Sequence, residues 1–136
     1  MPVAGIDFGR KRIGIAIAYG QSAYPLEIIE RRSIKLDLEA IRSRLAERAV
    51  SLVVLGLPLN MDGSEGPSAR AARAFGENLR SATGLPVEMF DERLTSFEAG
   101  ERLRGMPSPR RSQKAARDAL AAAVILEGWL ESRRAQ

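Results

Sequence analysis

The sequence contains no cysteine and no histidine, and these two absences narrow its chemistry sharply. Without cysteine, the chain forms no disulfide and offers no thiolate to a metal ion. Without histidine, it has no imidazole ligand and lacks the side chain that most often serves as a general base near neutral pH. Any metal chemistry must therefore depend on carboxylates.

Long apolar runs are also missing. None approaches the roughly 20 residues that a membrane-spanning helix needs. The N-terminus enters a strand pattern at once, without the charged and apolar regions of a signal peptide. We therefore expect a soluble cytoplasmic protein with no membrane partner. Aromatic residues make up only 5% of the chain, and no stacking platform for nucleobases is evident.

What is present suits one globular unit. The chain has 136 residues, of which 45% are hydrophobic, enough for one core and too few for two ordinary domains. We therefore predict a single domain spanning residues 1–136. Its 21 basic and 17 acidic residues give a net charge of +4, which only slightly favours an anionic partner such as nucleic acid.

The hydrophobic pattern predicts an α/β protein with a mixed central sheet of about five strands flanked by helices. The first two strands form a hairpin around the basic turn at residues 10–12, and a third strand lies near residues 27–29. Asp37 is the expected N-cap of the first helix. The remaining predicted strands are residues 51–57 and 87–92. A predicted helix carries Ala71, Phe75, Leu79 and Ala82 on one face and is closed by Gly84. Two further helices, over residues 95–105 and 113–133, are separated by a proline-containing break.

Asp7 is the first candidate for a functional residue, because it interrupts the apolar first strand. A carboxylate in such a place needs a cation or a hydrogen-bond partner. A purely structural role, capping its own turn, is as common for an acid seen alone. Whether Asp7 has a functional or a structural role depends on whether other acids lie close to it.

Two further regions supply acids. Asp118 shares a helical stripe with Ala122, Ile125 and Trp129, which should pack inward. Asp91 and Glu92 end the last predicted strand, where functional groups gather in open α/β sheets. Because neighbouring strand residues point to opposite faces, only one of the two can join Asp7 directly, and the pattern does not say which.

Three carboxylates from separate elements would form an all-oxygen site suited to Mg²⁺ or Mn²⁺. Such ions could activate a water molecule for attack on a phosphodiester. Basic residues near the predicted site would then contact backbone phosphates with little sequence readout, although a solvated rim explains them equally well. These candidates are Lys11, Arg12, Arg110, Arg111, Lys114 and Arg117.

Four segments in this order resemble the motifs of the YqgF/RuvX family. The first contains GIDFG at residues 5–9 and RIGIA at residues 12–16, and the second is VLGLPLNMDGS at residues 54–64. The third is DERLTS at residues 91–96, and the fourth combines DA at residues 118–119 with AAVIL at residues 122–126. The resemblance covers nearly the whole chain.

The resemblance implies an RNase H-like fold related to the RuvC Holliday junction resolvases. It implies that Asp7, Glu92 and Asp118 are the catalytic and metal-binding acids, with Asp91 as the reserve for Glu92. It also implies that the turn at residues 60–64 lies near the substrate. The expected function is a metal-dependent nuclease in 5′-end maturation of pre-16S ribosomal RNA, in Holliday junction resolution, or in both.

Two other classes compete with this hypothesis. The first is a noncatalytic nucleic-acid-binding factor in ribosome assembly, which the intact acidic trio disfavours. The second is a relative of actin-like ATPases, which would need a second lobe that 136 residues do not provide. Structured RNA and branched DNA both remain possible substrates, ribosome-associated particles are possible partners, and monomer and homodimer are both open.

Overall fold

The computed structural model describes residues 1–95 and 113–134, with side chains in the final helix described from Ala119 onward. In this part of the chain, five strands form one sheet in the order β3-β2-β1-β4-β5. Strands β1, β2 and β3 are antiparallel neighbours, whereas β1, β4 and β5 run parallel. The predicted mixed sheet is confirmed. Its strands are β1 (Val3–Phe8), β2 (Arg12–Tyr19), β3 (Ser22–Glu30), β4 (Leu52–Leu57) and β5 (Val87–Asp91).

Three α-helices flank this sheet within the described residues. They are α1 (Ile34–Glu47), α2 (Pro67–Thr83) and α3 (Gln113–Arg134), and a short 3₁₀ turn (Glu92–Leu94) follows β5. Helix α2 ends as predicted at Gly84, whose φ of 74° is the left-handed conformation that glycine tolerates best. The helix predicted over residues 95–105 and the break that follows it lie outside the described residues, apart from Thr95.

The prediction that Asp37 caps α1 is wrong. Ser33 is the N-cap, and its Oγ accepts a hydrogen bond from the Leu36 N–H at 3.2 Å. Asp37 lies in the first turn of the helix and is only 1% exposed. Its carboxylate accepts a hydrogen bond from the Arg32 N–H at 3.0 Å. Asp37 therefore binds the backbone of the segment that leads into the helix. A sequence pattern for helix caps does not reveal this role.

Helices α1 and α2 cover one face of the sheet. Ile6 and Leu55 from the central strands pack there with Ile41 of α1 and Phe75 of α2. The buried stripe of α2 also contains Ala72, whereas the predicted Ala71 is exposed. These side chains form the larger of the two core layers.

Helix α3 covers the opposite face, where Ala16 and Val54 meet Ala122 and Leu126. A contact of its last turn shows where this helix ends. Arg134 Nη1 donates a hydrogen bond to Gln21 Oε1, in the β2–β3 turn, at 2.9 Å. That turn lies at the edge where β1 begins. Helix α3 therefore starts at the opposite edge, where the parallel strands end. No helix among the described residues has the length and apolar content to cross a membrane.

Candidate active site

The carboxyl ends of β1, β4 and β5 meet at one edge of the sheet. Asp7 is the penultimate residue of β1, and Gly56 is the penultimate residue of β4. Leu57 pairs with Asp91, the last residue of β5, so Glu92 begins directly beside the end of β4. Parallel strands thus bring the first-strand acid and the acidic pair to the same edge.

The side chain of Glu92 extends over β4 towards β1. A Cβ atom built on Gly56 would lie 2.7 Å from Glu92 Oε2 and 2.6 Å from Ile125 Cδ1. Both distances are too short for real contacts, so the missing side chain of Gly56 is what gives the carboxylate its place. Because Ile125 belongs to α3, Glu92 lies on the face of the sheet that this helix covers.

The pKa of Glu92 is raised from 4.5 to about 7. Burial is the largest cause, because it disfavours the charged form, and the negative charges of Asp7 and Asp91 add to the effect. The charge of Asp7 therefore acts on Glu92, as expected of two acids that share one site. Without a cation, this carboxyl group holds a proton over part of the physiological pH range.

Asp91 has the opposite environment. Its carboxylate accepts hydrogen bonds from the Arg93 N–H at 2.9 Å and from Arg93 Nη2 at 2.8 Å. The Arg93 side-chain hydrogen bond lowers the pKa of Asp91 below its usual value. The two adjacent acids thus have different partners: Glu92 interacts with Asp7, and Asp91 is bound to Arg93.

Asp118 belongs to α3, and its side chain lies outside the described part of the structure. The backbone nevertheless defines its neighbourhood. A Cβ built on Gly5 would lie 3.0 Å from the Ala122 carbonyl oxygen, so the helix passes directly over β1. Asp7 is two residues further along β1, and position 118 is one helical turn before Ala122. Among the described residues, no three ligating side chains form a metal-binding group.

The predicted nucleic-acid contacts fall into two groups. Lys11 is exposed in the β1–β2 turn, whereas Arg12 is paired with Glu30 at 2.9 Å. Arg110 and Arg111 lie outside the described residues, as do the side chains of Lys114 and Arg117 in α3. The structure therefore gives a described position only to the first two candidates.

The sequence pattern gave no role to Arg93, which links the acidic pair to the loop after β4. Arg93 Nη1 donates to the Met61 carbonyl oxygen at 3.2 Å. Within that loop, Asn60 Nδ2 donates to Ser64 Oγ at 2.9 Å, and Asp62 Oδ1 accepts from the Ser64 N–H at 2.9 Å. The spacing of Asp91 and Arg93 in DERL was the only sequence signal for this link.

Comparison with known proteins gives a family match and close relatives. The family described as RuvX, Holliday junction resolvase, matches residues 1–132. A protein of Anaeromyxobacter sp. (strain Fw109-5) is 53% identical over 137 residues, which covers 99% of this chain and all of the relative. A Myxococcus xanthus protein is 42% identical and covers 98% of this chain and 90% of its own length. Both are named as candidate pre-16S rRNA nucleases.

Solved structures share the fold. RuvC of T. thermophilus, in complex with a Holliday junction substrate, has a TM-score of 0.65 at 17% identity and covers all of this chain and 97% of its own. The fowlpox virus resolvase, in complex with Holliday junction DNA, has a TM-score of 0.61 at 12% identity and covers 98% of this chain and 99% of its own. At these identities the likeness concerns the fold alone, and it confirms the RNase H-like architecture.

Proposed function

The chain belongs to the RuvX (Holliday junction resolvase) family, and from that premise we propose that it is a metal-dependent nuclease that hydrolyses phosphodiester bonds in nucleic acid. The whole chain would form one nuclease domain. The relatives named for pre-16S rRNA favour that precursor as its substrate, cut at the 5′ end that the family resemblance implies. We propose the cytoplasm as its compartment.

The observation that carries this proposal is the convergence of Asp7 and Glu92 at the end of the parallel strands. Two partly buried acids repel each other, and a positive charge bound between them relieves this repulsion. Burial first, and then the negative charge of Asp7, raise the pKa of Glu92, so its charged form is disfavoured. Carboxylate oxygens are the donors that Mg²⁺ and Mn²⁺ prefer, so the residues fit a divalent ion.

Asp7 and Glu92 would hold the ion, with Asp118 as the third ligand from the start of α3. When bound, such an ion lowers the pKa of a water molecule and stabilises the departing oxygen of a phosphodiester. Gly56 leaves the space into which the side chain of Glu92 extends. Because its pKa is raised, Glu92 must release a proton before it can bind the ion. Lys11, exposed four residues after Asp7, would hold a neighbouring phosphate.

The direct test is cleavage by the purified protein of two labelled substrates, a pre-16S 5′-leader RNA and a four-way DNA junction. Each is incubated with Mg²⁺, Mn²⁺ or EDTA. We expect metal-dependent cutting of the leader RNA, and we expect Asp7→Asn to reduce the rate by roughly 100-fold or more because one metal ligand is lost.

Glu77→Gln is the matched control, because it removes one negative charge from the exposed surface of α2 and leaves the site unchanged. Preferential cutting of the junction would support the nuclease activity and would identify branched DNA as the substrate. Tight binding of either nucleic acid without cutting in any metal would contradict the proposal and favour the noncatalytic assembly factor.

A further inference from the structure

Two basic segments lie at the end of the sheet where Asp7 and Glu92 are found. They are the β1–β2 turn at residues 10–12 and the chain from Glu30 to Asp37 that leads from β3 into α1. Together they contain six basic and two acidic residues. Their net charge is therefore +4.

Arg31 joins the two segments into one rigid unit. Its N–H donates to the Lys11 carbonyl oxygen at 2.9 Å. Its Nη1 donates to the carbonyl oxygens of Gly9 and Arg10, both at 3.2 Å. The guanidinium also stacks over the Phe8 ring, 4.4 Å from its centroid. The turn after Asp7 is therefore held against the start of α1 by backbone and side-chain contacts.

Four cations on this unit remain available to a ligand. Arg10, Lys11, Arg32 and Lys35 are exposed, and none of them forms an ion pair with the residues that the structure describes. We name these four residues the hairpin platform. Exposed, unpaired cations repel one another, so their grouping is unfavourable unless they bind an anion.

The acids of the two segments are engaged elsewhere. Glu30 is paired with Arg12, so the charge of this carboxylate is balanced by Arg12. Asp37 is buried, and its carboxylate accepts the Arg32 N–H at 3.0 Å. The start of α1, capped by Ser33, adds the positive end of a helix dipole to the same surface.

The hairpin platform begins in the turn that directly follows β1, the strand of Asp7. Arg10 and Lys11 follow Asp7 by three and four residues, and the hydrogen bonds of Arg31 hold Arg32, its neighbour in the chain, close to this turn. Lys35 lies in the first turn of α1, two residues after the N-cap Ser33. Lysine and arginine with few neighbouring aromatic residues bind the sugar–phosphate backbone rather than bases. Such a surface suits a strand of any sequence.

We propose that the hairpin platform binds successive backbone phosphates of the nucleic acid outside the cleavage site and guides one strand from the carboxylates towards α1. The inference rests on the proposed function, because it names how the substrate of that same site is held. It assigns substrate binding to Arg10, Arg32 and Lys35 in addition to Lys11.

The test measures binding separately from cutting. The parent is Asp7→Asn in EDTA, and the probes are the labelled leader RNA and the four-way junction, titrated by fluorescence anisotropy at KCl concentrations between about 50 and 200 mM. We expect Arg32→Gln/Lys35→Gln to weaken binding about tenfold. We also expect a shallower salt dependence, by about 1.4 in the logarithmic slope for a single strand or about 1.8 for a duplex, because two phosphate contacts are lost.

Arg42→Gln/Arg80→Gln is the matched control, because it removes the same charge from exposed pairs with Glu39 and Glu77. Arg42 lines a cavity with Val50 and Leu85, so it lies towards the opposite edge of the sheet. This control should keep the parent slope. The charge-preserving Arg32→Lys/Lys35→Arg should keep it as well, which separates the loss of charge from misfolding.

Equal slopes for the platform variant and the control would overturn the inference and leave the nuclease proposal intact. A parent protein that binds neither nucleic acid in EDTA would also overturn the inference, whereas the cleavage assay decides the nuclease proposal.

Discussion

At the scale of single residues, the adjacent acids Asp91 and Glu92 show how strongly position determines ionisation. Asp91 is surrounded by the donors of Arg93, so its charged form is favoured. Glu92 is half-buried beside Asp7, so its charged form is disfavoured. One residue along the chain reverses the sign of the pKa shift. Of these two adjacent acids, Glu92 is therefore the one whose charged form a bound cation would stabilise.

This difference predicts a pH-dependent stability effect of Glu92→Gln. The pKa of Glu92 is about 7 in the folded protein, against 4.5 for the ordinary group. The folded state thus binds the proton more tightly, and its stability falls as the pH rises between these two values. Glutamine cannot ionise, so we expect the variant to be more stable than the wild type by about 1–2 kcal/mol at pH 8 and equal to it below pH ~4.5. Urea unfolding in EDTA measures both.

Asp91→Asn is the control for this prediction, because it changes the neighbouring acid in the same way. Its carboxylate is stabilised by Arg93, so we expect a loss of up to about 1 kcal/mol at pH 8. Equal effects of the two substitutions at pH 8 would show that Glu92 does not have the environment described above.

At the scale of elements, two glycines let α3 approach the sheet. A Cβ on Gly5 would lie 2.8 Å from Leu126 Cβ, and one on Gly56 would lie 2.6 Å from Ile125 Cδ1. Both positions are on central strands, directly under the helix that carries Asp118. The close approach thus serves the site as well as the core, because it sets how near the start of α3 comes to β1.

We therefore expect Gly5→Ala to destabilise the protein by about 1–3 kcal/mol, the usual cost of overpacking a core. The added methyl group meets the backbone oxygen of Ala122 at 3.0 Å as well as a side chain, so a rotamer change cannot relieve the clash. Urea unfolding in EDTA gives the value. Gly66→Ala is the control, because its Cβ would meet Asn60 at an ordinary 3.4 Å, and it should cost less than about 1 kcal/mol. Equal costs would contradict the close packing of α3.

The same elements explain what could be predicted from the sequence. Strand alternation and the uniformly apolar β4 indicated the mixed sheet, because burial on one or two faces leaves its mark in the residue pattern. Asp7 was identifiable because a charge inside a buried strand is unusual. The cap of α1 was not, since Ser33 and Asp37 are both acceptable caps and only the path of the preceding chain decides between them.

The site could be predicted less fully than the fold. Alternation along the predicted strand 87–92 indicated that Asp91 and Glu92 diverge, although β5 ends at Asp91 and Glu92 begins the 3₁₀ turn. Which of the two approaches Asp7 depends on the space above Gly56 in a different strand. The hairpin platform depends on contacts of Arg31 with residues about 20 positions earlier, which no local pattern contains. Both features arise from tertiary packing.

At the scale of the whole molecule, the sheet edge, the helix start and the charge distribution converge on one region. The parallel strands end there, α3 begins there, and the hairpin platform continues from it. The stability of the entire fold should therefore depend on what binds at this edge. A ligand that binds only the folded state stabilises every element of a cooperative domain.

We accordingly expect Mn²⁺ to raise the melting temperature, and to do so more strongly at pH 8 than at pH 6. At a concentration 100 times the dissociation constant, the gain is about 2.7 kcal/mol. Because Glu92, with a pKa of about 7, must release its proton to bind the ion, its ionised fraction and hence the apparent affinity should be about tenfold lower at pH 6 than at pH 8. Thermal melts over a series of Mn²⁺ concentrations at both pH values measure this. Glu77→Gln should behave as the wild type and Asp7→Asn should lose most of the stabilisation, whereas an equal gain in Asp7→Asn would mean that the ion binds elsewhere on the molecule.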